Sequence, residues 1–303
     1  MPSLRRIFLA ALVAVVMVCD AQVASAQRLA DSLANLITFV PAGETTFLAA
    51  SRGKRLLLDI GRVDAEVRRD SARAVAYREA VAKHSPVKVG AQFRLHAPWG
   101  EEDVTAGAID TWNGRVVLRL DGSATLDSAA KGKNPLVTVA VLRPAKTPSR
   151  TDSCSHALPA AQSPLALRVT ALRDSLEKEL RTGPQPMYPR LQKKLAVASS
   201  QVAGCFGTGR LALLVSLRAG NVEWVREKLV LVDTLGKATP LRISDFRFRA
   251  HELIHAVDAN GDGIDDLATK ATTEHAGATT ILALDLKARK ASRLTAGFAW
   301  EDQ

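Results

Sequence analysis

The chain has few cysteines, few aromatic residues and no long apolar segment beyond its first 26 residues. Cysteine occurs three times in 303 residues, and aromatic residues make up 5% of the total. So few cysteines exclude a disulfide scaffold, and a hydrophobic core must therefore carry the fold. The sparse aromatic residues do not interleave with arginine and lysine in a stripe, which argues against a specific nucleic-acid surface. No segment beyond residue 26 approaches the roughly 20 apolar residues of a membrane span.

The first 26 residues have the pattern of a secretory signal peptide. Arg5 and Arg6 form a positively charged start, and residues 7–18 are apolar. Ala24-Ser25-Ala26 then supplies a small-residue cleavage site. The apolar stretch is too short to span a membrane as a helix. We therefore expect a periplasmic or secreted protein whose mature chain starts at residue 27.

The three cysteines have different predicted roles. Cys19 lies in the signal region and offers an alternative, a lipid-anchored first residue, although Val18 before it is bulkier than such cleavage favours. Cys154 and Cys205 remain in the mature chain. An even number of cysteines in an oxidising compartment favours a disulfide between them. The alternative is a pair of buried free thiols.

The charge of the chain is basic but dispersed. There are 41 basic and 31 acidic residues, which gives a formal net charge of +10. The basic residues are scattered among Ala, Leu and Asp, a pattern typical of a solvated surface. The alternative is a basic surface that binds anionic polymers.

The predicted fold class is α+β, mostly β, in two parts. Residues 27–143 are expected to form a small N-terminal helix-plus-β unit that resembles a barrel. Residues 144–163 are rich in Pro, Ser, Thr and Ala and predict a linker. Residues 164–303 are expected to form an antiparallel β domain with a helix packed against it.

Local patterns support this division. Residues 63–81 have helical spacing, and Trp112-Asn113-Gly114 lies between alternating segments, the signature of a tight β-hairpin. Ser163-Pro164 is a favourable helix start before an apolar stripe. Strands are predicted over residues 54–60, 87–95, 104–111, 115–120, 136–142, 211–217, 222–232, 241–250, 267–273, 279–286 and 294–299.

The stretch from Asp258 to Leu267 has the pattern of a calcium-binding loop. Oxygen-bearing side chains stand at relative positions 1, 3, 5 and 9, and glycines stand between them. Ca²⁺ takes six to eight oxygen ligands, which such a loop can supply. The candidate ligands are the side chains of Asp258, Asn260 and Asp262, the carbonyl of Ile264, and the carboxylate of Asp266, directly or through water.

The loop does not fit an EF-hand, because Asp265 stands where an apolar residue is needed and Thr269 where a glutamate is needed. Instead, Asp-x-Asn-Gly-Asp-Gly-x-x-Asp-Leu between two apolar segments resembles the calcium hairpins of FG-GAP and VCBS-type repeats. The resemblance covers about residues 250–286 and implies a loop between two β-strands in which the metal braces the turn. Only one such loop is present. The alternative is a solvated turn without a metal.

A second motif overlaps the approach to this loop. His251-Glu252-Leu253-Ile254-His255 has the form of a zinc-peptidase helix, in which two imidazoles four residues apart bind zinc and the glutamate activates water. Glu274, 19 residues beyond His255, could be a third ligand. However, β-favouring residues alternate through the preceding segment, and a strand-like segment follows Glu274. Only 48 residues follow His255, too few for the lower subdomain of such enzymes.

The sequence therefore favours a non-enzymatic binding or structural protein with Ca²⁺ in one hairpin loop. The alternative is a metallopeptidase with Zn²⁺. The expected partner is a protein or a cell-surface component rather than a specific nucleic acid.

Overall fold

A computed structural model describes most of the chain between Leu36 and Asp302. The described residues are 36–40, 43–63, 80–97, 99–112, 114–132, 136–143, 155–182, 189–207, 209–220, 223–244, 249–273, 277–294 and 300–302. The predicted signal peptide, including Cys19, lies outside these residues. Cys154, Glu274 and residues 64–79 of the first predicted helix also lie outside them. The chain is mostly β, as predicted.

The first sheet contains seven antiparallel strands that curl into a barrel. The strand order is β1-β3-β2-β7-β4-β5-β6, and β3 also pairs with β6, so six strands form a closed ring. The strands are β1 (Ile37–Phe39), β2 (Thr46–Arg52), β3 (Arg55–Val63), β4 (Gln92–Ala97), β5 (Gly100–Trp112), β6 (Arg115–Asp121) and β7 (Val137–Leu142). Ring closure leaves these strands without an open edge for another chain to pair with. We call this unit the first barrel.

The core of the first barrel combines apolar packing with one buried ion pair. Phe47 and Phe93 are fully buried and meet edge to face, with ring centroids 5.9 Å apart. Arg115 donates from Nη1 to Oδ2 of Asp59, and both side chains are buried. Removing two charges from water is costly, so each charge depends on its partner.

The predicted hairpin at Trp112-Asn113-Gly114 is confirmed by the pairing of β5 with β6. Trp112 stands opposite Arg115, and Gly114 has φ 75°, a left-handed conformation that glycine adopts without strain. A short helix, α1 (Ala124–Lys131), follows β6 and was not predicted from the sequence. It has only two buried residues, too few to give a clear helical period.

The second sheet is also barrel-like but is assembled differently. Its order is β12-β13-β14-β15-β11-β10-β9-β8, with β16 beside β14, and β11 runs parallel to β15. The strands are β8 (Leu195–Phe206), β9 (Gly209–Ala219), β10 (Trp224–Asp233), β11 (Ala238–Ile243), β12 (Ala250–Val257), β13 (Asp266–Thr272), β14 (Gly277–Asp285), β15 (Lys290–Arg293) and β16 (Trp300–Asp302). The first and last strands of the path meet where the backbone N–H of Leu253 donates to Ser200 Oγ at 2.8 Å. We call this unit the second barrel.

A long helix covers one face of the second barrel, as predicted. Helix α2 (Pro164–Thr182) begins after Ser163, whose Oγ accepts from the N–H of Ala166 at 3.2 Å and so caps the helix. Its buried stripe packs on the outward side chains of β9 and β10. That stripe consists of Val169, Leu176 and Leu180. A single turn, α3 (Pro189–Gln192), precedes β8.

The two barrels share a layer of buried apolar side chains, which we call the interface cluster. The first barrel contributes Leu48, Ala50, Leu57, Val117, Val137, Val139 and Val141, and the second contributes Val257, Ala259, Ala268 and Ile281. The strand residues of the first barrel in this set point outward from its core, because side chains alternate between the two faces of a strand. The chain from Val257 to Ala259 therefore lies against the first barrel.

Two predicted strands have different boundaries in the structure. The strand predicted over residues 87–95 begins only at Gln92, because Val89 is 55% exposed and Gly90 forms a turn with φ 86°. The strand predicted over residues 241–250 is divided, since β11 ends at Ile243 and β12 begins at Ala250. An alternating pattern reports which face a side chain occupies but not where the chain changes direction.

Among the residues that the structure describes, no helix is both long enough and apolar enough to cross a membrane.

Candidate metal-binding loop

The predicted calcium loop connects two antiparallel strands. Strand β12 ends at Val257, β13 begins at Asp266, and these two residues stand opposite each other in the register. Gly261 and Gly263 both have positive φ, 75° and 83°. No atom lies within 4 Å of where a Cβ would stand on Gly263, so the backbone conformation, and not lack of space, requires glycine there. The loop thus has the strand–turn–strand setting that the resemblance implied.

Asp258 organises the loop from its first position. Its Oδ1 accepts from the N–H of Gly261 at 2.8 Å, and its Oδ2 accepts from the N–H of Gly263 at 3.0 Å. Both carboxylate oxygens face the interior of the turn, and the side chain is 8% exposed. An ionised carboxylate is one of the oxygen ligands that Ca²⁺ commonly takes.

The tip of the loop is exposed, and its side-chain oxygens also accept hydrogen bonds from backbone N–H groups. Asn260 Oδ1 accepts from the N–H of Asp262 at 2.9 Å, and Asp262 Oδ1 accepts from the N–H of Ile264 at 2.8 Å. Asn260 Nδ2 also donates to Asp262 Oδ2 at 3.1 Å. These side chains border solvent and can turn without disturbing the core.

Asp266 lies beneath the loop and is fully buried. Its oxygens accept from the N–H of Leu284 at 3.0 Å and of Ala259 at 3.3 Å. The pKa of Asp266 is raised to about 7, chiefly by burial and in addition by the negative charges of Asp262 and Asp258, while the N–H groups of Leu284 and Ala259 act in the opposite direction. The three carboxylates therefore repel one another, and a bound cation would relieve that repulsion.

The five predicted ligands occupy one loop, but they do not converge on a single point. In the part of the chain that the structure describes, no three acidic, histidine or cysteine side chains are gathered closely enough to hold a metal. The donors are all oxygens, the type that Ca²⁺ prefers. Binding would therefore need the exposed side chains of Asn260 and Asp262 to turn toward Asp258.

The loop lies at the contact between the two barrels. Val257 and Ala259, on either side of Asp258, belong to the interface cluster. On the first barrel, His96 is 7% exposed and stands opposite Val139 of that cluster. Burial lowers the pKa of His96, and the charges of Glu101 and, to a smaller extent, Asp258 act in the opposite direction, so the imidazole lies within electrostatic range of the loop.

Asp265 has a structural role that the sequence reasoning missed. Its Oδ2 accepts from the N–H of Cys205 on β8 and lies 3.0 Å from His156 Nε2. Its own N–H donates to the carbonyl of Cys205 at 2.8 Å. Asp265 thus ties the loop to β8 and to the segment that follows Cys154. The only sign of this role in the sequence is that Asp265 lies beside a predicted ligand, Asp266, but outside the ligand pattern.

The His-Glu-x-x-His motif lies on strand β12 and not on a helix. The register of β12 with β13 shifts between Leu253 and His255, which marks a β-bulge at Ile254. An extra residue in one strand reverses the side-chain alternation that follows it. The two histidines of the motif therefore point to opposite faces of the sheet.

The contacts of the two histidines show that their side chains lie in different surroundings. His251 Nδ1 lies 2.9 Å from Glu227 Oε2 on β10, inside the second barrel. His255 Nε2 accepts from the N–H of Val137 at 3.2 Å, on the first barrel. Two imidazoles on opposite faces of one sheet cannot share a metal ion.

Comparison with known proteins adds no relative. No family model matches the chain, and no curated protein or solved structure matches it significantly.

Proposed function

We propose that the protein is an exported, non-enzymatic binding or structural protein whose β12–β13 loop binds one Ca²⁺. The observation that carries this proposal is the position of Asp258, between two residues of the interface cluster. A cation held by this loop would fix the chain segment that lies against the first barrel. Calcium would then brace the joint between the barrels, and the expected partner is a protein or a cell-surface component.

The donor set supports a hard cation. Side-chain oxygens of Asp258, Asn260, Asp262 and Asp266, together with the carbonyl of Ile264, would hold the ion, and water would complete its six to eight ligands. Burial is the main cause of the raised pKa of Asp266, and a bound cation would offset the repulsion from Asp262 and Asp258 that adds to it. Calcium affinity should therefore fall as pH drops below about 7, because protonation of Asp266 removes one of the negative charges.

The zinc metallopeptidase is less well supported. Its two imidazoles belong to different environments, since His251 contacts Glu227 and His255 contacts Val137. Bringing them together would require breaking the register of β12 on β13.

The test is calorimetric titration of Ca²⁺, then Zn²⁺, into the metal-stripped mature protein. We expect one calcium site that Asp262→Ala abolishes. A matched control is Asp285→Ala, because Asp285 Oδ1 also accepts a backbone N–H in an exposed turn, from Ala288 at 2.8 Å. This control should retain the calcium site.

Absence of calcium binding by the wild type would overturn the proposal, as would equal binding by wild type and Asp262→Ala. A zinc site lost in both His251→Ala and His255→Ala would support the metallopeptidase instead. One set of titrations therefore distinguishes the calcium-loop proposal from the zinc-peptidase alternative.

A further inference from the structure

His96 and Glu101 form a cross-strand pair on the outside of the first barrel. They stand directly opposite each other in the register of β4 with β5, so their side chains share one face of the sheet. That face is the outer one, because the neighbouring Leu95 points into the core of the first barrel. His96 is also paired with Val139, which belongs to the interface cluster. The pair therefore lies on the side of the first barrel that packs against the calcium loop.

Each residue of this pair has a buried polar atom that lacks a hydrogen-bond partner among the described residues. These atoms are Nε2 of His96 and Oε1 of Glu101. His96 is 93% buried, so bulk water has little access to it. The other carboxylate oxygen of Glu101 is satisfied, since Oε2 accepts from Arg94 Nη1 at 2.6 Å. A buried polar atom without a partner is costly, so two of them on opposed residues indicate a bound species that both can contact.

The calcium loop brings a further carboxylate close to this pair. Burial lowers the pKa of His96 and Arg94 acts in the same direction, whereas the charges of Glu101 and Asp258 oppose them. Electrostatic effects between groups near the surface are screened over about 8 Å at physiological salt. Both carboxylates therefore lie near the same imidazole, which is neutral at pH 7.

A divalent cation would satisfy these groups together. Oε1 of Glu101 and the carboxylate of Asp258 are oxygen donors of the type that Ca²⁺ takes. Ca²⁺ also takes water as a ligand, and such a water molecule can donate a hydrogen bond to the nitrogen of a neutral imidazole. A cation, unlike a water molecule alone, would in addition offset the repulsion among the carboxylates of the loop.

We propose that Glu101 is a further ligand of the Ca²⁺ held by the β12–β13 loop, and that His96 accepts a hydrogen bond from a water molecule on that ion. This role of Glu101 rests on the proposed function, and it makes the ion a direct link between the two barrels. Among the described residues no three such side chains are gathered closely enough to hold a metal, so binding would draw Glu101 and Asp258 together. Calcium should thus tighten the contact of the β4–β5 hairpin with the loop.

The experiment is calorimetric titration of Ca²⁺ into the metal-stripped wild type and two charge-matched variants, Glu101→Gln and Asp103→Asn. We expect Glu101→Gln to raise Kd at least about tenfold, because it removes a charged ligand but keeps the size of the side chain. Asp103 is the control, since it lies on the same face of β5 and also pairs with Arg94, at 2.7 Å. Asp103→Asn should leave Kd close to that of the wild type. His96→Leu should raise Kd by less than Glu101→Gln, because His96 contacts the ion only through water.

Hydrogen exchange at saturating calcium supplies a second readout. Calcium should slow amide exchange in the β4–β5 hairpin of the wild type but not in that of Glu101→Gln. The β12–β13 loop should be protected in both proteins. Melting temperatures without calcium verify that every variant folds.

The outcomes separate the role of Glu101 from the calcium loop itself. If the wild type binds Ca²⁺ and Asp262→Ala does not, equal Kd values for the wild type and Glu101→Gln would overturn the role of Glu101 alone. Protection confined to the loop would overturn it as well, and would mean that a water molecule rather than the ion satisfies His96 and Glu101. Absence of calcium binding by the wild type would overturn both proposals.

Discussion

The two barrels close in different ways, and the difference explains where polar chemistry is found. In the first barrel every strand of the ring is joined to its neighbours by backbone pairing. In the second barrel β12 meets β8 through a side chain, where Leu253 N–H donates to Ser200 Oγ, and the loop residue Asp265 joins β8 at Cys205 through both its carboxylate and its backbone N–H. Backbone closure requires no particular side chains, whereas side-chain closure places polar residues at the joint.

The two barrels also differ in where their polar side chains lie. Among the described residues of the first barrel, Asp59 and Arg115 form a buried ion pair beside a core that is mostly apolar. The second barrel holds His251 with Glu227 near an open pocket, and its loop of carboxylates lies against the first barrel. The candidate metal loop thus belongs to the second barrel, and the first barrel packs against it. The following predictions test that division.

The largest effect is expected in the first barrel. Arg115→Met should lower the free energy of unfolding by about 3–5 kcal/mol, because it leaves Asp59 buried without its partner. Chemical denaturation measures the change. Arg119→Met is the control, since Arg119 pairs with Asp121 at the surface and should change stability by less than about 1 kcal/mol. Equal losses in both variants would mean that the buried pair has no special role in the first barrel.

The next effect concerns the proposed disulfide. His156 lies against Asp265, which also bonds to Cys205, so the chain just after Cys154 lies near its predicted partner. Cys205→Ser should lower stability by about 2–4 kcal/mol under oxidising conditions. Cys154→Ser should have the same effect, and the double variant should lose no more than either single variant. Additive losses, or no change on reduction of the wild type, would argue for free thiols.

Calcium should stabilise the second barrel. At a free calcium concentration 100 times its Kd, the free energy of unfolding should rise by about 2.7 kcal/mol. Thermal melts with and without calcium measure this, and Asp258→Asn should remove most of the difference. Asp285→Ala, outside the loop, should keep it. A calcium-independent melt of the wild type would remove the basis for a metal-braced joint.

A smaller, pH-dependent effect is expected where the barrels meet. Burial lowers the pKa of His255 to about 4, below the usual 6.5, and the nearby charges of His156 and Asp265 oppose each other. The unfolded chain therefore binds a proton below pH 6.5 that the folded protein excludes until about pH 4, so stability falls through this window. A protonated Nε2 of His255 could also no longer accept the hydrogen bond from the N–H of Val137.

Between pH 7 and pH 5 the wild type should lose about 1–2 kcal/mol more than His255→Gln, which keeps an acceptor but does not titrate. Denaturant midpoints at both pH values measure the difference. Parallel pH curves for the two proteins would show that His255 does not couple the interface to pH.

Some of this architecture could be predicted from local sequence. The hairpin at Gly114, the cap at Ser163 and the apolar stripe of α2 follow from the conformational preferences of a few neighbouring residues. The strand–loop–strand setting of Asp258 to Asp266 followed in the same way. Helix α1 could not be predicted in this way, because its apolar pattern is too short. The break between β11 and β12 could not be predicted either, because the alternating pattern continues through it.

By itself, then, the sequence determined a mostly β chain, its strongest turns and the oxygen-rich loop, since each depends on residues adjacent in the chain. Only the tertiary structure decided that a bulge at Ile254 separates His251 from His255. It also decided that Asp265 meets Cys205 and His156, and that the loop lies against the first barrel. These outcomes depend on strand register and on contacts between distant segments, and periodicity along the chain carries no information about either.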